Sequence, residues 1–293
     1  MNINSIAWSN DDKYIAAGIG LGTTGMLQVW NRKNGDLAIE LPTTDEVITV
    51  QFSENNMYII ANTIYNLIII HVDMSTDPYY IYTSDHSRIL CASVLKYNHS
   101  VATYDEKGKV SIFNIELNEL QKEFDFRILD AISLETSFDG RYIFIGDKFG
   151  LIICIDISVN TEMYSVKLQS SSVVQSIQLN HIGELLVCDG EITIYNTVSK
   201  LITKNIKINT WALCANFLKN SRYIAAGCID GKLHLWDRWS DYSKTDLSGH
   251  NQPITCICAS PDESFFATGS IDSSIKVWSV QTGLEIAQLK TRQ

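Results

Sequence analysis

Few residues in this 293-residue chain have types and spacings that suggest joint chemistry. His250 and Asp272 can pair as an imidazole and the carboxylate that orients it, which is half of a Ser-His-Asp triad. Gly20-Leu-Gly-Thr-Thr-Gly25 matches the dinucleotide fingerprint G-x-G-x-x-G. That fingerprint needs a helix directly after it, whose N-terminus receives the pyrophosphate. The next residues are instead Met26-Leu-Gln-Val-Trp30, a strand pattern, so the glycines read as a long hairpin turn. The seven cysteines are odd in number, lie inside apolar runs and form no C-x-x-C pair, which reads as buried thiols in a reducing compartment. The sequence holds no G-x-S-x-G, H-E-x-x-H or P-loop motif and no metal-ligand spacing, so neither cofactor nor metal is expected.

Composition narrows the partner class. Carboxylates outnumber Lys and Arg by 33 to 23, a net charge of −10, which repels phosphate backbones and argues against nucleic acid as the main partner. Arg32-Lys33 is the one adjacent basic pair. The first residues show neither a basic segment nor a long apolar one, so no secretory signal is expected. The most apolar tract, Ile59 to Val72, is interrupted by polar residues and too short to span a bilayer.

The elements that must position these residues emerge from the C-terminal stretch. Pro253–Ala259, Phe265–Thr268, Ser274–Trp278 and Leu284–Leu289 are short apolar runs separated by Pro261-Asp262, Asp272-Ser273 and Thr282-Gly283. Runs of this kind bounded by such turns predict four antiparallel strands. The pattern recurs along the whole chain: Trp30, Val72, Phe113, Ile155, Tyr195 and Trp236 stand where Trp278 stands, 40–42 residues apart. The repeats run approximately 1–42, 43–84, 85–126, 127–169, 170–207, 208–248 and 249–293. Runs such as Leu67-Ile-Ile-Ile70 and Leu151-Ile-Ile-Cys-Ile155 are apolar at every position, as in strands covered on both faces. The expected fold is all-β, a seven-bladed β-propeller of four-stranded antiparallel blades in a single domain.

Gly249-His250, Leu235-Trp236-Asp237, Val277-Trp278 and Val29-Trp30-Asn31 resemble the signature of WD40 repeats. The resemblance implies a buried hydrogen-bonded set of His250, Thr268, Asp272 and Trp278, which moves His250 and Asp272 from chemistry to architecture. Repeat 6 keeps Asp230 and Trp236 but has Ala226 and no matching His, and repeat 3 offers His86 without a clear Asp. Many rings of this family close by sharing an outer strand between the two ends. No such overlap is visible here, so repeats 1 and 7 are expected to meet through side-chain packing alone, or the natural chain to extend further.

The residues opening the innermost strand of each repeat converge on the mouth of a propeller's channel. They are Asn2, Glu46, Arg88, Asp130, Val173, Trp211 and Pro253, with Trp211 the outstanding aromatic and Trp239 a second exposed candidate. The expected function is a non-enzymatic scaffold in the cytoplasm or nucleus that binds proteins or peptides within a multi-subunit complex. The resemblance leaves open a subunit of a histone methyltransferase-type chromatin complex, a substrate receptor of a cullin-type ubiquitin ligase, and a propeller enzyme with residues gathered in the channel.

Overall fold

The computed structural model describes residues 2–74, 77–82, 87–96, 99–126, 130–168, 170, 172–218 and 220–291. His86 lies outside them. Seven four-stranded antiparallel sheets succeed one another along the chain, each formed by consecutive strands a to d. Strand a is innermost, and all seven contribute to a central channel of about 520 Å³. The seven are Asn2–Trp8, Val47–Phe52, Ile89–Leu95, Ala131–Thr136, Ser176–Leu179, Ala212–Leu218 and Ile254–Ala259. In blade 5 strand a thus starts at Ser176, leaving Val173 in the preceding loop. Strand d is outermost and mostly solvated, as in Glu119–Asp125 and Glu285–Lys290.

Strands b and c are buried along most of their length because neighbouring blades cover both faces. The buried apolar residues accordingly form seven clusters, each spanning two adjacent blades. Strand pairing also revises one member of the periodic series. Trp30 pairs with Ile15, Phe113 with Val101 and Trp278 with Phe266, and the matching pair in blade 2 is Ile59 with Ile70. Ile70, buried and within Asn66–His71, therefore occupies the position expected of Val72, which lies beyond the strand. The apolar run Leu67 to Ile70 obscures the register, because every position in it satisfies the pattern.

No strand is shared between blades 1 and 7, whose sheets are each built from one consecutive segment. The seam nevertheless holds more than packing. The Thr255 hydroxyl donates to the Ile3 carbonyl, joining the two innermost strands. Behind it, Ile3, Ile6, Trp8, Ile15 and Ile19 pack with Ala267, Ile275 and Val277 in one cluster. The Arg32 guanidinium lies over both Trp8 and Phe265. The expectation of packing alone is therefore corrected. Amide exchange should protect Ile3–Trp8 as strongly as Val47–Phe52. Thr255→Val should lower stability by about 1 kcal/mol and loosen Ile3–Trp8 preferentially, read by exchange mass spectrometry.

Candidate interaction site

The His250 set is assembled as a continuous chain. His250 Nδ1 lies 2.9 Å from Asp272 Oδ2, and Nε2 lies 2.8 Å from the Thr268 hydroxyl. The Trp278 indole N–H donates to that hydroxyl at 2.9 Å. Burial holds the imidazole below its ordinary pKa, against the pull of Asp272. Burial pushes the Asp272 carboxyl up, but donors on Ser274, His250 and Asn251 outweigh it and hold the group down. The neutral tautomer that fits these partners donates from Nδ1 to Asp272 and accepts at Nε2 from Thr268. Every polar atom of the imidazole is engaged inside the blade, so His250 is architectural.

A neutral buried His loses its stabilising role when it must be charged. Its folded pKa is below the unfolded one, so the contribution is present above about pH 6.5 and lost as pH falls toward the folded value. His250→Ala should cost about 2–3 kcal/mol at pH 7.5. The difference from wild type should narrow below pH 6, as measured by thermal melts across pH.

The channel wall repeats one polar device. The equivalent residues of the seven innermost strands are Ala7, Gln51, Ser93, Glu135, Gln178, Asn216 and Cys258. Gln51 accepts from Val94 N–H and Gln178 from Phe217 N–H, both at 2.6 Å and both across a seam. Glu135 takes the same role toward Leu179 N–H in blade 4, as a carboxylate. Burial pushes its pKa up to about 7, with Lys96 opposing. A raised carboxyl pKa means that Glu135 favours folding below its unfolded value, and that this is lost as pH rises through 7. Glu135→Gln keeps the bridge without the charge. It should raise the melting temperature at pH 8 and leave it nearly unchanged at pH 4.5, measured by calorimetry.

The seven predicted rim residues occupy equivalent positions. Each precedes the first buried residue of its blade's inner strand region: Ile3, Val47, Ile89, Ala131, Val174, Ala212 and Ile254. They are unequal in what they offer. Glu46 accepts from Gly22 N–H at 3.1 Å and so steadies the turn between strands b and c of blade 1. That turn closes a plain hairpin, with Gly20 paired to Gly25, and it leads into a strand as the sequence requires. Asp130 pairs with Lys148 at 2.6 Å. Asn2 and Arg88 are exposed, whereas Val173 and Pro253 are half-buried. Trp211 is 42% exposed while one part of its ring lies on Gly190 of blade 5, where an added Cβ would come within 2.7 Å of the indole. It thus packs on its neighbour and faces solvent at once. Trp239, 75% exposed, lies with Arg222 over its ring.

Two features escaped the sequence reading. The turns between strands c and d carry exposed Leu117, Val159, Val198 and Leu284 beside Trp239, a signal visible as apolar residues among turn formers. Asp105 and Asp147 end their b strands and Asp189 directly follows its own, the three spaced by 42 residues, an equivalence that strand register makes visible. Among the described residues no three His, Cys, Asp or Glu are placed to hold a metal ion, and no helix is long and apolar enough to cross a membrane. Burial pushes the thiols of Cys91 and Cys256 up to about 12, which keeps them protonated.

Comparison with known proteins agrees with this geometry. The family model "WD domain, G-beta repeat" matches residues 1–31, 204–237 and 241–279, each match ending one residue after Trp30, Trp236 or Trp278. An uncharacterized WD repeat-containing protein of Schizosaccharomyces pombe is 26% identical over 192 residues, covering 61% of this chain and 48% of the relative. Protein groucho of Drosophila melanogaster is 25% identical over 158 residues, covering 50% of this chain and 22% of the relative. The chain therefore matches about half or less of the length of these relatives. A chain of the crystal structure of the mitotic checkpoint complex superposes with a TM-score of 0.81 at 17% identity, over 96% of this chain and 88% of the other, which shows the shared fold. The chain is a seven-bladed β-propeller, three stretches of which match the WD40 repeat.

Proposed function

We propose that this propeller is a non-enzymatic scaffold. It would hold partner proteins against the face that carries the channel mouth, as one subunit of a larger assembly in the cytoplasm or nucleus. The observation that carries this reading is Trp211, a large aromatic left 42% exposed on a rigid rim. Rigid aromatics bury much area at small entropic cost, which is why they dominate protein interfaces. Exposed Leu21, Tyr65, Ile132, Phe149 and Ile229, in the b–c turns and at the start of a strand a, add apolar surface on the same face. The histidine and carboxylates a triad or metal site would use are engaged in blade architecture, which supports a binding role. Membership of a multi-protein assembly by the structural neighbour is in keeping with it.

Affinity purification with mass spectrometry tests the proposal. Trp211→Ala should lose the captured proteins while shifting the melting temperature by no more than a few degrees. Trp239→Ala, on the opposite face, should retain them. Retention of the same proteins by Trp211→Ala, or its unfolding, would refute Trp211 as the docking residue.

A further inference from the structure

The pocket beside Trp211 has a chemistry set by one shortened turn. In blade 3 Asp105 ends strand b, and its Oδ1 accepts from the Lys107 and Lys109 amides, each at 2.9 Å. In blade 4 Asp147 does the same with the Phe149 and Leu151 amides at 2.8 and 2.7 Å. Asp189 is the equivalent residue of blade 5. There Cys188 pairs directly with Ile192, and the turn is two residues shorter than in blade 4, where Gly146 pairs with Ile152. Of the two amides that cap the other carboxylates, the Glu191 amide still steadies Asp189, and the second has no counterpart in the shorter turn. Asp189 Oδ2 accepts from the Ser170 hydroxyl, while Oδ1 has no hydrogen-bond partner although the residue is only 2% exposed. Burial pushes this carboxyl above its ordinary range, with Ser170 and the backbone amides of Glu191 and Asp189 opposing.

A buried acceptor without a donor costs about 1–3 kcal/mol and calls for an explanation. Asp189 is among the residues that line an open pocket of about 400 Å³. Trp211 forms another wall, its ring resting on the same short turn at Gly190, where φ is +94°. Glu191 and Lys207 also line the pocket, so its lining carries two carboxylates and one ammonium. An indole face attracts cations, and a planar guanidinium stacks on it while its edge donates N–H groups to carboxylates.

We propose that this pocket takes an arginine side chain of the docked protein, with the guanidinium stacked on Trp211 and donating to Asp189. The inference rests on the docking face assigned to Trp211 and adds the chemistry of one contact.

The test titrates Nα-acetyl-arginine-N-methylamide into the ¹⁵N-labelled full chain and monitors the Gly190 amide and the Trp211 indole N–H, the latter assigned with Trp211→Phe. Saturable shifts are expected, with binding at least about tenfold weaker in Asp189→Asn, the scale of one lost charge-assisted hydrogen bond. Trp211→Leu, which leaves the carboxylate in place, should weaken binding at the Gly190 amide, and both variants should melt close to wild type. Absence of saturation overturns the proposal, as does unchanged affinity in a folded Asp189→Asn. Equal binding of the norleucine analogue, or of the lysine analogue, overturns the guanidinium assignment. Partner capture that depends on Trp211 with no binding of the arginine analogue refutes the pocket alone. Binding of the analogue without Trp211-dependent capture refutes the docking face alone.

Discussion

The fold depends on satisfying an edge. Each innermost strand pairs with only one neighbour, so its other edge presents unpaired N–H and C=O groups to the channel and to the next blade. Side chains from adjacent innermost strands answer them at every seam. The Asn4 amide donates to Val47, Ser5 accepts from Val50, and Thr136 donates to Val94. Gln51, Ser133 and Gln178 bridge further seams, Asn216 donates to Ile257, and Thr255 closes the ring onto Ile3. The apolar clusters between blades supply most of the burial, but these bonds fix where one blade stands relative to the next.

This arrangement explains why the chain tolerates poor repeat signatures. The His250 set is complete in blade 7 alone among the blades whose equivalent residues are described, and Trp at the strand-c position is kept in three. Blades 2 to 5 substitute Ile70, Phe113, Ile155 and Tyr195, all buried against the neighbouring blade. The position demands a large apolar side chain that fills the seam, and several residue types meet that demand. The polar set is then an additional device for fixing one blade, not a condition for the ring.

Variation in turn length has a sharper consequence. The same Asp caps a turn in blades 3 and 4 and is left with an unpartnered oxygen in blade 5, because two residues are missing from the turn it would cap. Shortening also brings Gly190 under the Trp211 ring. An aromatic and an under-satisfied carboxylate thus meet at one seam without any change in the strands. Local departures from a regular frame are where a repeat protein can acquire a binding surface at little cost to its core.

The sequence by itself determined the architecture. Short apolar runs, regular turn chemistry and a period near 41 residues permit little besides a ring of four-stranded blades, and counting within the period picked seven residues at equivalent positions, each just before a buried strand residue. The resemblance to WD40 repeats also implied the His250 set, which this sequence carries in full only in its last repeat. The sequence left the register of blade 2 undecided, because a strand apolar on both faces carries no alternation to count. Which rim residues stay exposed, which carboxylate oxygen lacks a partner and how blade 7 bonds to blade 1 were decided by tertiary structure. Those properties depend on atoms brought together from different repeats, and Thr255 and Ile3 lie at opposite ends of the chain.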